Sequence, residues 1–267
     1  MKIALIQSDI VWADPRANGD KLRKALEDNP GADLYVLPEM FSTGFNSPVV
    51  EDSSLTLDLM RELAVGHNCA IAGSLAVKEF ACDGPEGRVF NRLYFVREDG
   101  SFEYYDKRHL FANGGEDKLC VAGKERKIVE WRGMRFLLLV CFDLRFPVWA
   151  RNRGDYDAII CVASWPALRR YHWDTLLKAR AIENQAYMIG VNRVGSDPQC
   201  EYDGGSVMLD PWGAVLTSCP DGSECVRCAE AELQIVQECR RKFPAQNDAD
   251  AFSFSKTEND SPNETLQ

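Results

Sequence analysis

Three runs in this chain are apolar at every position or nearly so: Leu34 to Leu37, Phe136 to Phe142 and Ala158 to Ala163. A strand with one wet face alternates apolar and polar residues, whereas a run with no polar face must be covered on both sides. Such strands therefore predict sheet buried beneath other layers. Helical patterns lie between them. Asn18 to Asn29 reads as a helix, with Asp14-Pro15 as its start signal and Pro30-Gly31 as its stop. A second is predicted over Ser54 to Gly66, presenting Leu55, Leu59 and Leu63 on one face, and a third over Trp173 to Gln185. Further strands are expected at Lys2 to Ser8, Cys69 to Val77, Tyr187 to Val194, Gly205 to Leu209 and Ala214 to Thr217. Asp83 to Gly87 reads as a turn, and Val89 to Arg97 with Phe102 to Asp106 as a hairpin across Glu98 to Ser101. Hairpins mixed with buried strands and helices predict an α/β fold in four layers, an α-β-β-α sandwich of two mixed sheets flanked by helices.

No Gly/Ser linker or internal repeat divides the 267 residues. One domain is expected over 1–254, followed by a polar, disordered tail over 255–267. A formal charge of −10 argues against a nucleic-acid footprint, which needs clustered basic residues, and gives no reason to expect an acidic membrane as partner. No stretch approaches the roughly 20 apolar residues of a spanning helix, and the first residues read as a strand, not a signal peptide, so a cytoplasmic protein is expected. Ten cysteines without a secretory signal read as reduced, small apolar residues. Cys225 and Cys228 have C-x-x-C spacing, but no second pair follows at zinc-site distance, so a strand is the preferred reading and no metal is expected.

Chemistry enters where apolar runs stop. Glu39 follows the run at 34–37, Lys107 follows Phe102 to Asp106, and Cys141 ends the most apolar run, with Asp143 and Arg145 directly after it. Strand ends are where rigid scaffolds present reacting groups. A thiol is only about 3% thiolate at pH 7, so a nucleophilic Cys141 needs a base or a nearby cation. Histidine is scarce: His67, His109 and His172 form no obvious Cys-His pattern. Glu39 could act as the base and Lys107 supply the positive charge. Singly, each has an ordinary alternative: a buried strand cysteine, a loop carboxylate, a surface lysine.

Together they resemble the nitrilase, or carbon–nitrogen hydrolase, superfamily. Leu-Pro-Glu-Met-Phe at 37–41, Asp-Lys-Arg-His-Leu-Phe at 106–111 and Val-Cys-Phe-Asp-Leu-Arg-Phe-Pro at 140–147 carry the likeness. Ala-Ser-Trp-Pro at 163–166, Ala-Arg-Ala-Ile-Glu-Asn-Gln at 179–185 and Val-Asn-Arg-Val-Gly at 191–195 extend it over nearly the whole chain. The resemblance implies that Glu39 is the general base, Lys107 an oxyanion binder and Cys141 the nucleophile of a thioester intermediate. It implies the Phe142 backbone N–H as a second oxyanion donor and Glu116 as a supporting carboxylate, although Asn113-Gly114-Gly115 departs from many relatives. It implies no cofactor, a small amide and water as the only partners, and a homodimer.

Within the superfamily, the short length and the segments Cys-Phe-Asp-Leu-Arg-Phe-Pro-Val-Trp and Lys-Phe-Pro-Ala are similar to the omega-amidase branch, which implies hydrolysis of 2-oxoglutaramate or 2-oxosuccinamate. The alternatives are a nitrilase, another small aliphatic amidase or carbamoylase, and a non-catalytic binding module. Arg145 either anchors a substrate carboxylate or pairs with a carboxylate such as Glu183, the second being preferred. Arg180 and Glu183 are spaced to pair with each other on a helix. Trp165 is either a pocket wall or ordinary core.

Overall fold

The structure is a computed structural model that describes residues 1–48, 53–79 and 87–254. The turn expected at 83–87 falls largely outside them, and the tail expected at 255–267 wholly so. One six-stranded sheet contains β1 (Lys2–Gln7), β2 (Leu34–Val36), β3 (Ala70–Glu79), β4 (Arg88–Val96), β5 (Phe102–Asp106) and β14 (Cys225–Glu230), in the order β14-β1-β2-β3-β4-β5. The other contains β6 (Ile128–Trp131), β7 (Met134–Val140), β8 (Ala158–Ala163), β9 (Tyr187–Asn192), β12 (Val207–Leu209) and β13 (Val215–Ser218), in the order β13-β12-β9-β8-β7-β6. A small hairpin, β10 (Val194–Ser196) with β11 (Glu201–Asp203), stands apart from both. Each large sheet has a parallel centre, β1-β2-β3 in one and β7-β8-β9 in the other, with antiparallel neighbours outside.

The period-two alternation of side chains sorts the layers. Ile3 and Leu5 of β1 enter the core between the sheets, while Ala4 and Ile6 meet α1 (Pro15–Asp28) and α2 (Ser53–His67) on the opposite face. The far face of the second sheet is covered by Trp173, Leu177 and Ala181 of α4 (Arg170–Asn184) and by Val236 of α5 (Leu233–Lys242). The short α3 (Pro147–Ala150) completes the set. This is the predicted four-layer order.

Details differ from expectation at helix edges and faces. The first helix begins at Pro15, capped by the Asp14 side chain, which accepts from Ala17 N–H at 3.0 Å. On α2 the stripe is rotated: Leu55 is 70% exposed, while Thr56, Met60, Leu63 and Ala64 are buried. Helix α5, with its thin stripe of Val236 and Cys239, and strand β6 were not predicted. Cys225 and Cys228 do lie on a strand. They contact opposite cores, the inter-sheet core and the helix-side core, as residues three apart on a strand must.

Candidate active site

The parallel strands β2 and β7 and the hairpin strand β5 each deliver one reactive side chain just past their ends. After β2, Glu39 is fully buried. Its backbone carbonyl accepts from the Ser164 hydroxyl at 3.1 Å, and its Oε2 from Ser164 N–H at 2.8 Å. The loop after β8 thus clamps the loop after β2. After β5, Lys107 is also buried, with its N–H on the Asn91 carbonyl at 2.9 Å and its carbonyl accepting from Gly123 N–H at 2.8 Å. A Cβ on Gly123 would lie 2.1 Å from the Asp106 carbonyl oxygen, so only glycine allows this close approach. After β7, Cys141 has φ +47°, a left-handed conformation unusual for a residue with a Cβ. The bend is held by Asp143, whose carboxylate accepts from Val140 N–H at 3.0 Å, His109 N–H at 2.9 Å and the Tyr105 hydroxyl at 2.8 Å.

Lys107 Nζ lies 2.9 Å from Glu39 Oε1 and 2.9 and 2.8 Å from the two oxygens of Glu116. Its three donors are thus all directed at carboxylates. Glu116 Oε2 also accepts from Phe111 N–H at 2.7 Å, which fixes the first turn of the loop that carries it. One member of this hydrogen-bonded cluster was missed by sequence reasoning. Asn91, buried in the middle of β4, donates from Nδ2 to Glu39 Oε1 at 2.7 Å and to Glu116 Oε1 at 2.9 Å. The only signal for it in the sequence is a lone amide in an otherwise strand-like segment. Two carboxylates and one ammonium leave a net negative charge in the interior. Asn91 and the two backbone N–H groups supply the remaining positive dipoles, without which such a cluster is costly.

Burial disfavours the charge on Lys107, but Glu116 and then Glu39 outweigh it, and its pKa is held well above the ordinary lysine value. The Cys141 thiol is also pushed well above its usual range, first by burial and then by the Glu39 charge; Lys107 opposes, and a hydrogen bond with Glu39 adds to the rise. Both effects favour the neutral thiol, which is hydrogen-bonded to the Glu39 carboxylate.

Cys141 is half-buried and opens on a cavity of about 340 Å³ lined by Phe45, Phe111, Phe142, Trp165, Arg145 and Arg169, among others. The carbon–nitrogen hydrolase family model matches residues 2–241. The chain belongs to the carbon–nitrogen hydrolase family. It is 46% identical over 256 residues to "Omega-amidase YafV" of Yersinia enterocolitica, covering 94% of this chain and 98% of that protein. It is 34% identical to the "2-oxoglutaramate amidase" of Bacillus subtilis, covering 92% of this chain and 96% of the relative. Among solved structures, it superposes on XC1258 from Xanthomonas campestris, described as a CN-hydrolase superfamily protein with an arsenic adduct in its active site. The TM-score there is 0.89, with 40% identity and coverage of 96% of this chain and 99% of that one.

Within this carbon–nitrogen hydrolase, Lys107 is hydrogen-bonded to Glu39 and Glu116, and Cys141 shares a hydrogen bond with Glu39. Phe142 and Trp165 both line the cavity. Trp165 is wall and core at once: it is buried, with its ring 5.5 Å from Trp173, and it lines the cavity. The preferred pairing of Arg145 with Glu183 is corrected. Glu183 is taken by Arg180 at 2.8 Å, because residues three apart on α4 share a face, and the other arm of Arg180 donates to the Leu144 carbonyl at 2.6 Å. Arg145 instead stands over the Trp165 ring at 4.9 Å and lines the cavity. Among the described residues, no helix is long and apolar enough to cross a membrane.

Proposed function

We propose that this hydrolase cleaves the terminal amide of a small 2-oxo acid monoamide, such as 2-oxoglutaramate or 2-oxosuccinamate, to the 2-oxo acid and ammonia. One observation carries the chemistry: a thiol on a left-handed bend meets both a small cavity and a buried carboxylate paired to an ammonium. The substrate class is supported by likeness to an omega-amidase and a 2-oxoglutaramate amidase over more than nine-tenths of the chain.

The contact geometry supports a set of roles. Glu39 takes the Cys141 proton as sulfur attacks the amide carbon, because a raised thiol pKa makes transfer during attack easier than prior ionisation. The developing oxyanion is met by Lys107 and by the Phe142 backbone N–H. Lys107 makes two contacts to Glu116, so it can give one to the oxyanion and stay anchored. Glu116 keeps Phe111 N–H and Asn91 during that exchange. The proton on Glu39 passes to the departing nitrogen, ammonia leaves and a Cys141 thioester remains. Glu39 then removes a proton from water as it attacks the thioester, and the thiol is regenerated with the free acid. Trp165 walls the chain of the substrate, and Arg145, facing the cavity without a carboxylate partner among the described residues, suits its far carboxylate.

Residues 1–254 form one catalytic domain in this proposal, acting in the cytoplasm as a homodimer; light scattering of the purified protein checks the last point. Ammonia release from 2-oxoglutaramate, glutamine, asparagine and an aliphatic nitrile of matched length tests the reaction. The 2-oxo acid amide should turn over fastest, with an acyl adduct on Cys141 seen by mass spectrometry after rapid quench. Faster release from the nitrile would replace this reading with a nitrilase.

A further inference from the structure

Arg169 and Arg170 are neighbours in sequence and opposite in circumstance. The Arg170 guanidinium is met by three carboxylates: Asp174 at 2.8 Å, Asp221 at 2.9 Å and Asp203 at 3.3 Å. The Arg169 guanidinium meets no carboxylate among the described residues. It lies over the Phe111 ring, 5.2 Å from its centroid, and lines the cavity that holds Cys141. Its main chain is fixed from inside the cavity wall, where Trp165 Nε1 donates to the Arg169 carbonyl at 2.8 Å.

Arg145 lines the same space. It packs over Trp165 at 4.9 Å and Phe142 at 5.9 Å, and its Nη2 donates to His172 Nδ1 at 3.1 Å. It too lacks a carboxylate among the described residues. The pKa of Arg145 is lowered, first by burial and next by the charge of Arg169, so the two cations are near enough to repel. In a chain of net charge −10, leaving two half-buried guanidiniums unpaired is not for want of carboxylates. Like charges over apolar walls are unfavourable until an anion sits with them.

We propose that Arg169 is a specificity-determining residue, forming with Arg145 a two-guanidinium clamp for the substrate carboxylate remote from the scissile amide. The assignment rests on the amidase reading above and deepens it by naming which substrates the cavity favours: monoamides of short dicarboxylic acids over neutral amides of the same length. Guanidinium forks match the plane of a carboxylate, and the aromatic rings beneath them hold the forks in place. Local positive charge also draws an anion toward a protein that otherwise repels it.

The test is the ratio of kcat/KM for 2-oxoglutaramate to that for pentanamide. In Arg169→Met that ratio should fall by roughly tenfold or more, the scale of one lost charge-assisted hydrogen bond, and Arg169→Lys should recover part of it. An equal loss on both amides, or no loss, overturns the clamp while leaving the amidase reading intact. A second readout does not depend on the substrate: the relative rates at which iodoacetate and iodoacetamide alkylate Cys141. The anionic reagent should lose at least about threefold relative to the neutral one in Arg169→Met, as expected when one nearby charge is removed at an effective dielectric between protein and water. An unchanged ratio refutes the clamp. If wild-type protein turned over neither amide, the reaction assignment would fall, and the alkylation ratio would still decide the role of Arg169.

Discussion

Cys141 follows one of two neighbouring parallel strands and Cys161 lies within the other, and they have different fates. Cys161 lies within β8, opposite Leu139, fully enclosed. Cys141 comes just beyond the end of β7, half-exposed to the cavity. Burial raises the pKa of both thiols, and both are raised further by Glu39 and lowered by Lys107. Electrostatics therefore does not separate the proposed nucleophile from the packing residue. Position does: one residue past the strand end, a left-handed bend turns the sulfur toward Glu39 and open space, whereas within the strand the sulfur meets only core. The two are even linked, since the Cys161 sulfur accepts a hydrogen bond from the Cys141 backbone.

The largest effect expected is on this contrast. Cys141→Ser should lower kcat by at least about 10⁴, as removal of a nucleophile does elsewhere, with little change in Tm. Cys161→Ala should keep most turnover and lose stability instead, through a small cavity. Comparable turnover in the two variants would mean that the strand-end geometry does not select the nucleophile. Lys107→Met comes next. It leaves Glu39 and Glu116 buried around no cation, so it should cost about 3–5 kcal/mol of stability as well as most activity. Calorimetry beside steady-state kinetics separates it from Cys141→Ser, which touches activity alone.

What could be read from the sequence follows the same division. Glu39, Lys107 and Cys141 stood out as polar residues at strand ends, but singly each had an ordinary structural reading, and only their joint resemblance to the family linked them. Glu116 came by resemblance, and it contacts Lys107 and accepts from Phe111 N–H. Asn91 was not legible, since a polar residue inside a strand has no local mark to distinguish an inward amide from an outward one. Arg145 and Arg169 were misjudged or passed over because pairing of a guanidinium depends on carboxylates distant in sequence: of the two that settle Arg170, Asp203 ends the third strand after it and Asp221 follows the fifth. The buried stripe of α2 was displaced for a related reason. Leu55 looks apolar enough to be core, yet the layer beneath accepts Thr56 instead.

Asn91→Leu probes the next step down. The substitution keeps approximate volume and removes both hydrogen bonds to the carboxylates. Lys107 stays in place, but both carboxylates lose a donor, so stability should fall by about 1–3 kcal/mol while the fold holds. The Glu39 oxygen loses a partner that fixes its direction, and kcat should fall by about 10–10², within the range of a mispositioned general base, with KM little changed. A KM effect of similar size would instead place Asn91 in substrate binding.

The smallest effect near neutral pH, and the one that sharpens the contrast between sealed and open thiols, belongs to Cys120. It is buried against Met40 and Ala76 and does not line the cavity. Burial, then Glu116, push its pKa up to about 12. The sign of the linkage is set by which state holds the proton. Above about pH 9 the unfolded thiol ionises while the folded one keeps its proton until about pH 12, so the folded state binds more protons and stability falls as pH rises. Below pH 9 the contribution is fully present. Cys120→Ala should therefore leave turnover at neutral pH close to wild type and make the alkaline fall in unfolding free energy shallower by about 1.4 kcal/mol per pH unit between those limits. Urea melts at successive pH values measure that slope. Cys120 should resist iodoacetamide over this interval until the chain unfolds, whereas Cys141, open to the cavity, should react from the native state. If Cys120 is labelled in native protein as readily as Cys141, access rather than chemistry has been misassigned, and the distinction drawn between strand-end and sealed cysteines fails.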